Sequence, residues 1–343
     1  MKLKIYSEFL DEGFFMAPAY LKKELKLDDV EFIGSRFLYY AYMTLRGNGI
    51  YPFFKSLFAP LKLLFTKDPI ILAFAPYGKS IYYLILLKLF KKNVIYLTSW
   101  PYWDGSKYVH RGGYIREFFW KKFLKNTRVA GVTKKACEGV NNFGAKSVNI
   151  PHPVDLDVFT KKIKKNKKLN VLFVGRILPE KGVLDILKLA EEFKDINFTF
   201  VGNGDLSSKI KNCGFNNVKY IGFVKDKKEL ARIYREADIF ISNSYATKNW
   251  EELFGIVIIE AMASGLAVIA SDCVGPKEII QNGENGFLIH QRDYNDLKNK
   301  FSELIKNKSL IKKFSDNGRE TVEEKYDIKL ISEKWLDLIK NEN

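Results

Sequence analysis

From position 169 onward, short apolar runs alternate with segments whose apolar residues recur at helical spacing. Leu169 to Gly175 (LNVLFVG) is nearly continuous in apolar residues and closed by glycine, the pattern of a strand covered on both faces of a parallel sheet. Gly182 to Phe193 then carries Val183, Ile186, Leu187, Leu189 and Ala190 on one stripe, which predicts a helix. The same reading predicts strands over 198–202, 218–222, 238–242, 267–271 and 286–289. It predicts helices over 228–237 and 254–264, the second stopped by Gly265 in a C-cap position. Strands and helices in this alternation predict an α/β chain with a doubly wound parallel sheet.

The first half repeats the alternation less regularly, with strands expected at 3–7, 70–74, 94–98, 128–132 and 147–150, and helices at 80–91 and 114–125. Two Rossmann-like domains are therefore expected, 1–158 and 159–326, facing each other across a cleft at the carboxyl ends of their strands. The run Lys161 to Lys168 reads as a solvated linker. A last helix, about 328–340, has Leu330, Trp335, Leu336 and Ile339 to bury, and residues from about 327 to 343 are expected to pack back on the first domain.

A chain of 343 residues, 47% hydrophobic and 15% aromatic, suits two sizeable cores. Cys137, Cys213 and Cys273 have no paired or metal-ligand spacing, which argues against a disulfide framework or a zinc site. MKLKIYSEF has no apolar core of a signal peptide, and the longest greasy stretch, Ile81 to Phe90, is far short of the roughly 20 residues that a membrane span needs. The expected location is cytoplasmic, either soluble or peripheral on the inner face of the membrane. The net charge of +16 is uneven: residues 1–160 hold 24 Lys and Arg against 13 Asp and Glu, the remainder 32 against 27. That excess leaves nucleic acid, an anionic membrane and a phosphorylated substrate open as partners. No recognised nucleic-acid-binding module is present, so nucleic acid is set aside.

Gly175-Arg-Ile-Leu-Pro-Glu-Lys-Gly182 joins a strand to a helix, where backbone N–H groups favour anions. Arg176 and Lys181 add two cations and together suit a diphosphate with no metal. An ordinary loop with surface charges gives the same pattern. Gly202-Asn203-Gly204 is a second close-approach loop, and Ile221 to Val224 offers backbone groups to a planar base. Glu252 falls in the loop before the 254–264 helix, able to accept hydroxyl hydrogen bonds. Glu260 lies inside that helix among Val257, Ile258, Ile259 and Ala261, where it either clamps a diol such as ribose or pairs with a lysine.

This ordered set, with Glu252-x-Phe-Gly255, Glu260-Ala-Met-Ala-x-Gly265, Glu278-Ile-Ile and Ile150-Pro-x-Pro-Val-Asp155, resembles glycosyltransferase family 4, retaining nucleotide-sugar-dependent enzymes of the GT-B fold. The resemblance implies that Arg176 and Lys181 neutralise the donor diphosphate in place of a metal and that Glu260 binds the ribose. It implies that Glu252 holds the donor sugar, with the backbone of Phe254, Gly255 and Ile256. Gly175, Gly202, Asn203 and Val224 complete the donor side. No cofactor is expected, only a UDP- or GDP-sugar donor and a glycan or lipid-linked acceptor. The first half matches poorly. Gly13 is the one residue carried over from the family's first loop, and the family's N-domain histidine is replaced by Ser99-Trp100-Pro-Tyr102-Trp103-Asp104. Trp100, Tyr102 and Trp103 become acceptor-side candidates, Asp104 a candidate carboxylate, and His110 and His152 alternatives to it. Residues 51–65 and 111–125 mix bulky aromatics with Lys and Arg, as membrane-surface segments do and as a core helix with a basic outer face also does. The expected function is retaining glycosyl transfer in cell-surface polysaccharide, glycolipid or glycoprotein glycan synthesis. The alternatives are a nucleotide-sugar epimerase, a phosphorylase-like enzyme, or a vestigial membrane-binding protein.

Overall fold

The structure, a computed structural model, describes residues 2–7, 15–24, 27–34, 60–107, 113–161 and 168–341. Gly13, His110, residues 51–59 of the first aromatic-basic stretch and most of the Lys161 to Lys168 run lie outside them. The chain forms two compact units, one of Met1–His152 with Lys329–Asn343, the other of Pro153–Ile328.

The first unit contains β1 (Lys2–Ser7), α1 (Met16–Lys23), β2 (Asp29–Gly34), a short helix at 60–63, β3 (Ile70–Ala73), α2 (Ile81–Leu89), β4 (Val94–Thr98), α3 (Gly113–Lys125), β5 (Arg128–Gly131), α4 (Lys134–Asn142) and β6 (Lys146–Asn149). Its six strands are all parallel, in the order β2-β1-β3-β4-β5-β6. The central strands are apolar runs such as VIYLT of β4, buried along their whole length because helices cover both faces. The expected list lacks β2. DVEFIG alternates polar and apolar residues and forms the sheet's edge, so it shows no continuous greasy run.

The second unit contains β7 (Asn170–Val174), a 3₁₀ turn (Pro179–Lys181), α5 (Val183–Glu192), β8 (Asn197–Val201), α6 (Ser207–Lys211), β9 (Val218–Gly222), α7 (Lys227–Arg235), β10 (Ile239–Ser242), α8 (Ile256–Ala263), β11 (Ala267–Ser271), α9 (Val274–Ile279), β12 (Phe287–Ile289), α10 (Tyr294–Lys306) and α11 (Lys308–Lys325). Its sheet is also six-stranded and parallel, ordered β12-β11-β10-β7-β8-β9. Two doubly wound α/β sheets of this kind are the GT-B architecture.

The division differs from the expected one at its first joint, after His152 in place of residue 158, while the second, after Ile328, lies beside the expected 326. Val154 bridges Asp327, and the Phe159 ring packs on Tyr234, so the Pro153–Phe159 segment belongs with the second unit. The last helix, α12 (Ile328–Lys340), returns to the first unit, where Ser332 Oγ donates to the carbonyl of Ala17 at 3.0 Å and Arg128 donates to the carbonyl of Leu338.

Candidate functional site

In the second sheet the strand order reverses between β7 and β10, the place where doubly wound sheets commonly hold a ligand between the loops at the carboxyl ends of their strands. The loop after β7 carries Arg176 and Lys181. It is anchored by Ile177, fully buried, whose N–H donates to the carbonyl of Asn203 at 2.9 Å. The loop after β10 is held on the same side, Tyr245 N–H donating to the carbonyl of Glu180 at 2.9 Å. It then closes a tight turn, Thr247 N–H to the carbonyl of Trp250 at 2.8 Å and Trp250 N–H to Thr247 Oγ1 at 3.1 Å.

That turn presents Trp250, a residue the sequence reading passed over. The indole is a floor for both cations: Lys181 Nζ lies 4.4 Å and Arg176 Cζ 5.8 Å from its ring centroid. Lys181 Nζ also meets Glu252 Oε2 at 2.5 Å, both side chains being largely buried. Two cations, one carboxylate and an aromatic face thus converge at the switch point, an arrangement suited to an anion and a hydroxyl together. Glu251, the neighbour, is buried and accepts from Val274 N–H at the start of α9, a structural role.

Glu260, in the second turn of α8, is only 4% exposed. Its Oε1 accepts from Lys227 Nζ at 3.0 Å and its Oε2 from the Tyr234 hydroxyl at 3.2 Å. Burial first, then the Glu260 charge, push the Tyr234 phenol well above its ordinary pKa, so it remains a donor. The pairing with a lysine is therefore present in this state. A carboxylate offers about four lone-pair positions, so two stay available to a diol. The helix starts at Ile256 and not at Phe254, because Gly255 has φ +100°, outside the right-handed region. The Phe254 ring is buried against Tyr326, their centroids 6.0 Å apart, and its backbone packs closely on Gly275 of α9. Ile256 is half-buried behind it.

Gly202 has φ +132°, and a Cβ there would lie 1.8 Å from the carbonyl oxygen of Gly175. The close approach at Gly202 is therefore one of loop to loop. Asn203 is exposed and accepts from the Tyr220 hydroxyl at 2.8 Å, and Val224 is half-buried beside an exposed Phe223.

The first sheet reverses between β1 and β3, and there a cavity of about 250 Å³ opens. Ser7, Phe74, Thr98, Trp100, Val132 and a buried His152 are among its walls. Of the acceptor-side candidates only Trp100 lines it. Trp103 is 1% exposed and packed on Tyr77, Tyr96, Trp120 and Phe143, so it is core and has no face for a sugar. Tyr102 is buried and receives the Lys107 ammonium over its ring and on its hydroxyl. Asp104 stands on an exposed turn, where the Ser106 N–H donates to Oδ1 at 3.0 Å and holds the carboxyl below its ordinary pKa. It caps a turn and is no wall of the cavity. In a single sequence, nothing separated these four neighbours.

Residues 156–321 match the family model described as Glycosyl transferases group 1. Over 152 residues the chain is 40% identical to an uncharacterised glycosyltransferase of Methanocaldococcus jannaschii, across 43% of this chain and 42% of that one. Over 183 residues it is 29% identical to the N,N'-diacetylbacillosaminyl-diphospho-undecaprenol alpha-1,3-N-acetylgalactosaminyltransferase of Campylobacter jejuni, across 53% and 47%. The matched segments thus span about half the length of these curated relatives. The crystal structure of Anabaena HepE in complex with UDP superposes at a TM-score of 0.71 over 98% of this chain and 99% of that one, at 15% identity, a likeness of fold. The stretch that matches the family model thus lies within the second unit of the chain.

Proposed function

We propose that the protein transfers a sugar from a UDP- or GDP-sugar to a glycan or lipid-linked acceptor, with retention at the anomeric carbon and with no metal. The observation that carries this reading is the cluster of Arg176, Lys181 and Glu252 on the Trp250 face at the strand-order reversal. The bond from C1 of the sugar to the diphosphate oxygen breaks, and its electron pair stays on the diphosphate. Arg176 and Lys181 stand where that charge grows, and fixed cations there lower the barrier. Lys181 is shared between the diphosphate and Glu252, which leaves Glu252 able to accept from a hydroxyl of the donor sugar. Glu260 receives the ribose hydroxyls on the lone pairs that Lys227 and Tyr234 leave open. The acceptor oxygen bonds C1 from the face the diphosphate leaves, and its proton passes to a diphosphate oxygen.

UDP as the nucleotide is supported by the UDP complex of the structural neighbour, and a lipid-linked acceptor by the name of the Campylobacter jejuni relative. We place the work in cell-surface polysaccharide, glycolipid or glycan synthesis on the cytoplasmic side, with an anionic membrane surface as a partner of the basic, aromatic first unit. A thermal-shift screen of UDP- and GDP-sugars, followed by transfer and hydrolysis assays on the hits, tests the reading. Glu252→Gln and Lys181→Ala are expected to abolish transfer while leaving far-UV circular dichroism unchanged. Wild-type rates in both variants would sink it.

A further inference from the structure

We infer that three neighbouring helices on one face of the first sheet form a docking surface for an anionic lipid bilayer. The connections β2 to β3, β3 to β4 and β4 to β5 all advance the same way along the sheet, and right-handed crossovers put their helices on one side. The short helix at 60–63 is tied to α2 by the Tyr83 hydroxyl, which donates to the carbonyl of Pro60 at 2.6 Å. The Tyr82 and Phe119 rings meet at 5.9 Å between α2 and α3.

The inner stripes of α2 and α3 belong to the core, through Ile81, Leu84 and Leu87 on one and Trp120, Phe123 and Leu124 on the other. Their outer stripes are apolar as well. Eleven large hydrophobic side chains are exposed among the described residues, and eight of them lie on or beside these three helices. Leu61 and Phe65 come from the first, Tyr82, Leu89 and Phe90 from α2, and Tyr114, Ile115 and Phe118 from α3. The whole second unit exposes only Leu184 and Phe223 among its described residues.

Charge selects the occupant. Residues 60–67, 79–92 and 113–125 hold ten Lys and Arg and a single acid, Glu117. On α3 the outer stripe runs from Ile115 and Phe118 to Lys122 and Lys125, apolar groups followed by cations one turn on. Aromatic and aliphatic groups ringed by lysines match the headgroup layer of a bilayer that carries negative charge. A second copy of this chain would oppose the exposed cations of this face, Lys122 and Lys125 among them, to themselves, which works against self-association. Among the described residues no helix is long and apolar enough to cross a membrane, so the contact lies in the interface plane. The inference rests on this surface alone, so it stands or falls separately from the proposed transfer.

Co-sedimentation of the full chain with vesicles tests it, using phosphatidylcholine alone and phosphatidylcholine with about one quarter phosphatidylglycerol. Binding to the anionic vesicles is expected to be at least about tenfold tighter than to the neutral ones, and to fall steeply at about 0.5 M salt. The pair Ile115→Glu with Phe118→Glu, and separately Lys122→Glu with Lys125→Glu, should each lower anionic binding about tenfold or more. Lys308→Glu with Lys312→Glu on α11 of the second unit carries the same charge change and should leave it nearly unaltered. Circular dichroism of each variant shows that it is folded. Equal affinity for both vesicles, no binding, or an equal loss in the α11 control would overturn the inference. So would a dimer in sedimentation velocity that Ile115→Glu with Phe118→Glu dissolves, since the face would then belong to a second copy.

Discussion

Trp250 lies beneath Arg176 and Lys181, the two cations of the proposed donor site. Arg and Lys side chains on a loop lose considerable rotamer freedom when fixed, and like charges close together repel. An indole face beneath both offsets these costs by cation–π attraction of roughly 0.5–2 kcal/mol per contact. Replacing the ring with alanine, Trp250→Ala, should therefore weaken binding of UDP or GDP by about tenfold in isothermal titration, while Trp250→Phe keeps most of it. A Trp250→Ala variant that bound the nucleotide as well as wild type would show that the ring is only a neighbour. Sequence gave no sign of this residue: a lone aromatic in a polar loop (ATKNWEE) has no periodicity and no motif partner, and only the Thr247 turn brings it under Arg176 and Lys181. That Arg176, Lys181 and Glu252 come together was legible from their places at strand ends, and Glu260 takes the lysine partner that was one of its two readings. Trp103 and Asp104 were misread because the sequence shows which residues are adjacent but not which way each turns.

At the level of elements, the strands that were easiest to read are those covered on both faces, where burial requires an unbroken apolar run. AVIAS of β11 is fully buried and was bounded correctly, whereas the edge strand β2 was invisible. The ends of elements depend on contacts that no local pattern holds. Gly202 ends β8 because the carbonyl of Gly175 fills the place of a Cβ. Gly202→Ala should cost about 2–3 kcal/mol in urea unfolding. It should also weaken nucleotide binding, since the displaced loop carries Arg176; an unchanged midpoint would refute the steric account. A second element-level test is pH. His290 Nδ1 meets Asp296 Oδ2 at 3.0 Å in the first turn of α10, and the hydrogen bond to Asp296 raises the imidazole above its ordinary pKa of 6.5. A raised folded pKa contributes stability that is complete below pH 6.5 and is lost as pH rises through the folded value. The melting temperatures of wild type and His290→Asn should thus differ at pH 5.5 and converge in alkaline buffer, and the gap should be small because the imidazole is exposed. A gap that widened with pH would reverse the assignment.

Across the whole molecule, the same winding occurs twice, and in each sheet the reversal of strand order marks where a side-chain cluster or a cavity opens. The pattern of apolar runs was enough to give this architecture, because parallel strands with helices on both faces leave few other arrangements. What it could not give was the division of labour. The second unit has fixed charges at its reversal, Arg176, Lys181 and Glu252, whereas the first has mostly apolar walls with Trp100 and a buried His152. A nucleoside diphosphate should therefore act on one unit much more than on the other. At a hundred times its Kd, a ligand that binds only the folded form adds about 2.7 kcal/mol to what it binds. In hydrogen exchange followed by mass spectrometry, peptides from β7, β8, β10 and β11 should then slow by about a hundredfold on addition of UDP or GDP. Peptides from β1, β3, β4 and β5 should change far less. Equal protection of both sheets would mean that the nucleotide is held as strongly by the first unit, and a slowing confined to the first would move the donor site to the Trp100 cavity. Because Lys181→Ala removes one of the two cations and leaves the folded sheet in place, it should abolish most of the slowing in β7 and β10 at the same nucleotide concentration, which ties the protection to the cluster and not to a general effect of the anion.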